Sequence, residues 1–138
     1  MNAAAVKEEP PYKFRLSFLT PTAFKSNGRY IYMPDLAFIY NSIMRKFDAV
    51  AGKFSIYDEE TLDQLCRSTF IQDYMLRSTR FALEGVKIHS FIGNVVINAK
   101  SNRTMAAFLN MLMSFAEFSG VGIKTALGMG AVSVEKIK

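Results

Sequence analysis

The chain has 138 residues, of which 50% are hydrophobic and 21% are charged, and this composition excludes an intrinsically disordered protein. Its one cysteine and one histidine exclude an internal disulfide and argue against a zinc site built from such ligands. The net charge of +5 lies after Asp73, where the chain has eight cations and three anions. This excess of positive charge favours either an anionic partner, of which nucleic acid is the first candidate, or a surface that keeps the protein soluble.

The first predicted elements are a leader, a strand and a turn. Residues 1–11 contain no signal-peptide core and are predicted to be a disordered leader or an artificial boundary, so that residues 12–138 form a single domain. "YKFRLSFLT" alternates apolar and polar residues and predicts a half-buried strand. Asn27-Gly28 then predicts a turn, followed by a short strand-like piece from Tyr30 to Met33.

Two helices are predicted next. The first opens at Pro34-Asp35, ends at Gly52 and has an apolar stripe of Leu36, Ile39, Tyr40, Ile43, Phe47 and Val50. The second is an inserted helix near 58–70, with Leu62, Leu65 and Cys66 on one side. Its acidic residues suit a helix N-terminus, so we interpret them as structural.

The remaining pattern predicts two strands, a helix and a last strand. The two strands join near Glu84-Gly85, and the apolar alternation changes phase between Ile88 and Phe91, which predicts a bulge at Phe91 to Gly93. Ser101 or Asn102 can cap the helix, and "AVSVEKI" predicts the final strand. The predicted buried side chains of this helix are Met105, Phe108, Leu109, Leu112 and Phe115, together with Met111 and Met113.

The resulting order of β-α-β-β-α-β predicts an α+β protein of the ferredoxin-like (RRM-like) fold. In that fold a four-stranded antiparallel sheet carries the helices on one face. The helix near 58–70 is an addition to this plan.

The segment "GVGIKTALGMG" concentrates half of the chain's eight glycines between the last helix and the last strand. It is neither a dinucleotide fingerprint nor a P-loop, because Thr125 occupies the third glycine position and Lys124-Thr125 opens no helix. The loop follows a helix C-terminus, so the dipole would not help to bind an anion. Two interpretations stay open, a backbone-amide anion site with Lys124 or a helix cap followed by a tight return.

Other candidate residues carry weaker signals. His89, the single histidine, is a candidate general acid or base, although a lone histidine on a strand is more often only partly buried and polar. Lys25, Arg29, Tyr30 and Tyr32 flank the Asn27-Gly28 turn and could either stack on RNA bases or border the core.

The spacing of this loop resembles the glycine-rich loop of the CRISPR-associated endoribonucleases that process precursor CRISPR RNA, in the RAMP superfamily. "LTPTAFKSNGRYIYMPD" and "HSFIGNVVI" are similar to two further segments of that family, and the resemblance covers about residues 14–135. It implies two tandem ferredoxin-like domains, of which this chain resembles the C-terminal one.

The resemblance implies metal-independent cleavage within CRISPR repeats by general acid–base chemistry, in which the loop holds the RNA backbone. Catalytic residues often lie in the family's N-terminal domain, so none is assigned here beyond the candidate His89. The expected protein is cytoplasmic, needs no cofactor or metal, and binds CRISPR repeat RNA but no membrane. A second copy of the chain and other CRISPR-associated proteins are further candidate partners. The alternative is a protein-interaction or dimerisation module without RNA binding. The predicted RNA-binding residues are Gly120, Gly122, Lys124, Thr125, Gly128, Gly130, Lys25 and Arg29.

Overall fold

A computed structural model describes residues 11–137, so the predicted leader lies outside the described residues except for Pro11. In this part of the chain the strands are β1 (Lys13–Thr22), β2 (Phe24–Ser26), β3 (Arg29–Ile31), β4 (Phe70–Leu83), β5 (Val86–Asn98) and β6 (Val132–Ile137). The α-helices are α1 (Leu36–Ala51), α2 (Glu59–Ser68) and α3 (Arg103–Ser119). A 3-10 turn at Thr125–Leu127 lies in the glycine-rich loop.

The main sheet has the strand order β4-β5-β1-β6, and every neighbouring pair is antiparallel. Leu16 of the central strand β1 lies opposite Val95 on one side and Val134 on the other. The short strands β2 and β3 form a separate hairpin around the Asn27-Gly28 turn. This topology confirms the predicted ferredoxin-like fold with one additional helix, α2.

The core lies between the sheet and the helices. Phe14, Leu16 and Phe18 of β1 are buried, as their alternation predicts. Phe91 of β5 packs against Phe18 edge to face, with ring centroids 4.8 Å apart, and lies 6.2 Å from the ring of Phe24. The helical side chains buried in the same cluster are Ile39, Tyr40, Ile43, Met44, Leu65, Met105, Ala106, Leu109, Leu112, Met113 and Ala116.

The helix ends follow local capping chemistry. Asp35 accepts a hydrogen bond from the amide of Ala37 at the start of α1, and Asn102 accepts one from Met105 at the start of α3. Two of the predicted core positions are wrong. Val50 is 66% exposed because the buried residues of α1 end at Met44, and Met111 is 38% exposed because it lies off the buried stripe of α3.

Helix α2 is shorter than the range 58–70 predicted from the sequence. Asp58 caps it from outside, and it ends at Ser68. The Thr69 hydroxyl donates to the carbonyl of Leu65 and lies 2.8 Å from the Tyr40 hydroxyl, while Phe70 already pairs with Asn98 in the sheet. Thr69 and Phe70 therefore lie outside the helix, because a buried hydrogen bond fixes Thr69 and the pairing of β4 with β5 fixes Phe70.

The bulge predicted at Phe91 to Gly93 is not found in β5. The pairing of β4 with β5 is continuous there, and the register shift lies instead in β1, between Phe18 and Thr22. The change of phase in the apolar alternation between Ile88 and Phe91 has another cause. Ile88 packs in a small second cluster with Ala23 and Met129, whereas Phe91 belongs to the main core on the other face of the strand.

The connection between α1 and α2 depends on Asp48. Its carboxylate accepts hydrogen bonds from the Ser55 hydroxyl (2.7 Å) and from the amide of Ile56 (2.6 Å). Partial desolvation raises the pKa of Asp48, but these hydrogen bonds outweigh it and hold the pKa below its usual value.

We expect Asp48→Asn to be less stable than the wild type at neutral pH and to lose less stability in acid. Because the native pKa is lowered, the stabilisation is present above the unfolded pKa of about 3.9 and is lost as pH falls towards the native value. Urea unfolding between neutral pH and pH 3 measures this. Asp63→Asn, at an exposed pair with Arg67, is the control, and parallel pH profiles for wild type and Asp48→Asn would contradict the assignment.

Candidate nucleic-acid interface

The glycine-rich loop follows α3 and runs back along the end of β1. Gly120 ends the helix, with its amide donating to the carbonyl of Ala116. Further along, the amides of Ile123 and Gly130 donate to the carbonyls of Ala23 (3.0 Å) and Pro21 (2.9 Å). The loop is therefore held to the strand by backbone hydrogen bonds.

Close backbone contacts explain most of the glycines. A Cβ atom on Gly130 would lie 2.0 Å from the carbonyl oxygen of Val121, and one on Gly122 would lie 2.3 Å from that of Ala23. On Gly120 the nearest atom, in the side chain of Thr125, would be 2.9 Å away, whereas Gly128 has open space. The glycine excess is thus largely a packing requirement, so the anion-binding interpretation has to rest on other groups.

Those groups lie at the tip of the loop. Most of its backbone amides are used within the protein, including those of Val121, Leu127 and Met129. Among the described residues, the amides of Lys124, Thr125 and Ala126 donate to no protein acceptor. Lys124 is exposed and has a left-handed backbone, with φ of 56°. Three free donors and an ammonium group therefore lie on consecutive residues, a combination suited to an anion.

Helix α1 supports the loop from below. The Ser42 hydroxyl accepts a hydrogen bond of 2.8 Å from the amide of Gly122, and the Lys46 ammonium donates to the Thr125 hydroxyl at 3.3 Å. Burial lowers the pKa of Lys46. Neither residue could be identified from the sequence, since their positions on a helix about 80 residues away give no local signal. Their places facing the loop depend entirely on how α1 packs.

Lys25 and Arg29 lie on the β2–β3 hairpin, both exposed. Lys25 pairs with Tyr30 across the hairpin, and its ammonium lies 5.4 Å from the centroid of that ring. The exposed cations and aromatic surface are consistent with a role in binding. That role stays a prediction.

The structure brings His89 and Tyr32 together, although they are 57 positions apart. Their ring centroids are 5.2 Å apart, and both side chains border a groove of about 610 Å³. Arg80, which the sequence analysis did not single out as a site residue, lies opposite His89 in the β4–β5 ladder. A catalytic role for His89 stays a prediction, since this arrangement serves binding equally well.

Within residues 11–137, no three histidine, cysteine, aspartate or glutamate side chains lie together as a potential metal site. Over the same residues, every helix is too short or too polar to span a membrane.

Sequence comparison identifies a related family. Residues 16–132 match the family model described as CRISPR-associated endoribonuclease Cas6. A curated relative of that description from Streptococcus thermophilus is 35% identical over 131 residues, which are 95% of this chain and 54% of the relative. The chain thus spans about half the length of this relative.

Solved structures show the same relation. A structure described as a Cas6 product complex superposes with a TM-score of 0.80 at 28% identity, covering 94% of this chain and 53% of the other. Thermus thermophilus Cas6 superposes with a TM-score of 0.76 at 29% identity, and the match covers 98% of this chain and 58% of the other. The similarity therefore includes nearly all of this chain.

Proposed function

The chain belongs to the CRISPR-associated endoribonuclease Cas6 family, and we propose that it is the RNA-binding C-terminal domain of such an enzyme. The family membership supports a part in the processing of CRISPR RNA. The glycine-rich loop between α3 and β6 supports the C-terminal position, because the family resemblance puts such a loop there. The complete enzyme would contain a second ferredoxin-like domain in addition to this one.

The observation that carries the proposal is the tip of the glycine-rich loop. The amides of Lys124, Thr125 and Ala126 and the Lys124 ammonium are available as donors on one exposed turn, and the Lys46 ammonium lies beneath it. Phosphate oxygens accept hydrogen bonds from such groups without regard to base sequence. We infer that this tip holds the RNA backbone and positions the strand.

The proposed reaction is metal-independent cleavage within the CRISPR repeat. A general base removes the proton of a 2′-hydroxyl, the resulting oxygen attacks the adjacent phosphorus, and a general acid protonates the leaving 5′-oxygen. A bound strand held at a fixed phosphate keeps the reacting atoms aligned. This chain's assigned part is to hold the RNA, and the residues that move the protons stay unassigned.

We expect Lys124→Ala to weaken binding of a CRISPR repeat RNA and to flatten its salt dependence by about one unit of slope in log K against log salt. Without one ammonium–phosphate contact, RNA binding releases about one counterion fewer. Fluorescence anisotropy across a salt series measures both quantities.

Lys100→Ala is the matched control, because it removes the same charge from an exposed lysine. Lys100 precedes α3, whereas the loop follows it, and the 17 residues of the helix separate them by about 25 Å. An unchanged slope in Lys124→Ala, or RNA binding that is insensitive to salt in the wild type, would contradict the proposed clamp.

A further inference from the structure

The groove between the β4–β5 hairpin and the segment before α1 is a second candidate site. It has a volume of about 610 Å³ and is lined by Tyr32, Ser78, Thr79, Arg80 and His89. These residues come from three separate stretches of the chain, so no motif of the sequence predicts the combination.

The groove is distinct from the glycine-rich loop. Ile88, the neighbour of His89 on β5, packs with Met129 of that loop and with Ala23. Because successive side chains of a strand point to opposite faces, His89 faces away from this cluster. The groove and the loop therefore lie on opposite faces of the β4–β5 hairpin.

An exposed aromatic pair forms one wall of the groove. The rings of Tyr32 and His89 are tilted by 53° with centroids 5.2 Å apart, and Tyr32 is 43% exposed. Both rings keep surface open to solvent, on which a flat ligand can stack. Unpaired RNA bases are recognised on aromatic side chains in this way.

The other wall supplies positive charge and hydrogen-bond donors. Arg80 lies directly opposite His89, and among the described residues no carboxylate forms an ion pair with it. The hydroxyl of Ser78, which lies on the same face of β4 as Arg80, likewise has no hydrogen-bond partner in the described chain, and no acidic residue lines the groove. A free guanidinium and a free hydroxyl suit a phosphate and a ribose 2′-hydroxyl.

We propose that this groove binds one unpaired nucleotide of RNA, with its base stacked on the Tyr32–His89 pair and its phosphate on Arg80. The inference rests on the proposed function in taking RNA as the ligand class. It adds a site for single-stranded RNA on the face of the hairpin opposite the loop. His89 acts here as a stacking group and touches the base, not the reacting phosphorus.

The test compares a fluorescently labelled single-stranded oligoadenylate RNA with an RNA duplex of the same length, using the 138-residue chain. Tyr32→Ala and His89→Ala should each weaken single-strand binding on the order of tenfold and change duplex binding little, because a duplex offers no free base. Tyr32→Phe keeps an aromatic ring and should bind like the wild type. Arg80→Ala should weaken binding and lower the salt slope by about one.

Tyr74→Ala and Arg67→Ala are the matched controls. Tyr74 is a 67% exposed aromatic residue on β4 outside the groove, and Arg67 is an exposed arginine on α2. Circular dichroism and thermal melts verify that each variant is folded. A base analogue such as 2-aminopurine, whose fluorescence falls on stacking, should show less quenching in Tyr32→Ala than in Tyr74→Ala.

Several outcomes overturn the inference. Groove variants that bind single-stranded RNA like the wild type, while Lys124→Ala weakens binding, would overturn this inference and leave the proposed function standing. A wild-type chain that binds neither RNA would overturn both. Cleavage of the RNA in EDTA that is abolished by His89→Ala would overturn the stacking role in favour of a catalytic one.

Discussion

We expect Gly130→Ala to destabilise the protein by about 3–5 kcal/mol, a large share of the roughly 5–15 kcal/mol that stabilises a domain. The residue has φ of 71°, where an alanine alone costs on the order of 1–3 kcal/mol. The new Cβ, whose position is fixed by its own backbone, would also lie 2.0 Å from the backbone carbonyl oxygen of Val121. Since no side chain can rotate away, the two arms of the glycine-rich loop must separate.

Urea unfolding measures this loss, and Gly128→Ala is the control from the same loop. Gly128 also has a positive φ, of 105°, but an added Cβ would meet nothing within 4 Å. Gly128→Ala should therefore lose only the stability that corresponds to the backbone strain. Equal losses in the two variants would show that the close approach of Gly130 to Val121 is not what requires glycine.

The second large effect is expected for Phe91→Ala, at about 3–5 kcal/mol. Phe91 is buried between the rings of Phe18 and Phe24, and so connects β5 with β1 and β2. Truncation leaves a cavity among rings that cannot all move inward, because β1 and β5 are fixed by their ladder.

Chemical denaturation of Phe91→Ala beside Phe118→Ala measures the effect. Phe118 is a phenylalanine of the same size on α3 but is 79% exposed, so its removal should change the stability by less than about 0.5 kcal/mol. Phe91→Leu should recover most of the loss. A small loss for Phe91→Ala would mean that the core can close around the missing ring.

The two proposed RNA contacts differ in what they recognise. The loop tip at Lys124 to Ala126 offers backbone amides and an ammonium group, which suit a phosphate of either paired or unpaired RNA. The Tyr32–His89 pair offers aromatic surface, which suits an unpaired base. An RNA that combines a duplex with a single-stranded flank could engage both faces of the hairpin.

Much of the fold could be predicted from the sequence, because its signals are local. The alternation around Leu16, the caps Asp35 and Asn102 and the turns at Asn27-Gly28 and Glu84-Gly85 each depend on a few neighbouring residues. The positive φ of Asn27 and Glu84 agrees with both turns. The predicted end of α2 was wrong because the Thr69 hydroxyl forms a hydrogen bond with Tyr40, a residue of another helix.

The candidate site was predictable only in part. The spacing of the glycines marked the loop and the family, since that motif is contiguous in the chain. It did not show that Gly122 and Gly130 are required by the carbonyls of Ala23 and Val121. Those contacts form only after the loop has folded back on itself and onto the end of β1.

The order of the elements, the fold class and the family follow from the sequence, because spacing along the chain reports the geometry of one element at a time. Three features follow only from the folded chain: which amides of the glycine-rich loop stay free, the place of Lys46 beneath Thr125, and the contact of Tyr32 with His89. These groups come from distant segments. Their contacts follow from how helices and strands pack, which no local pattern of residues encodes.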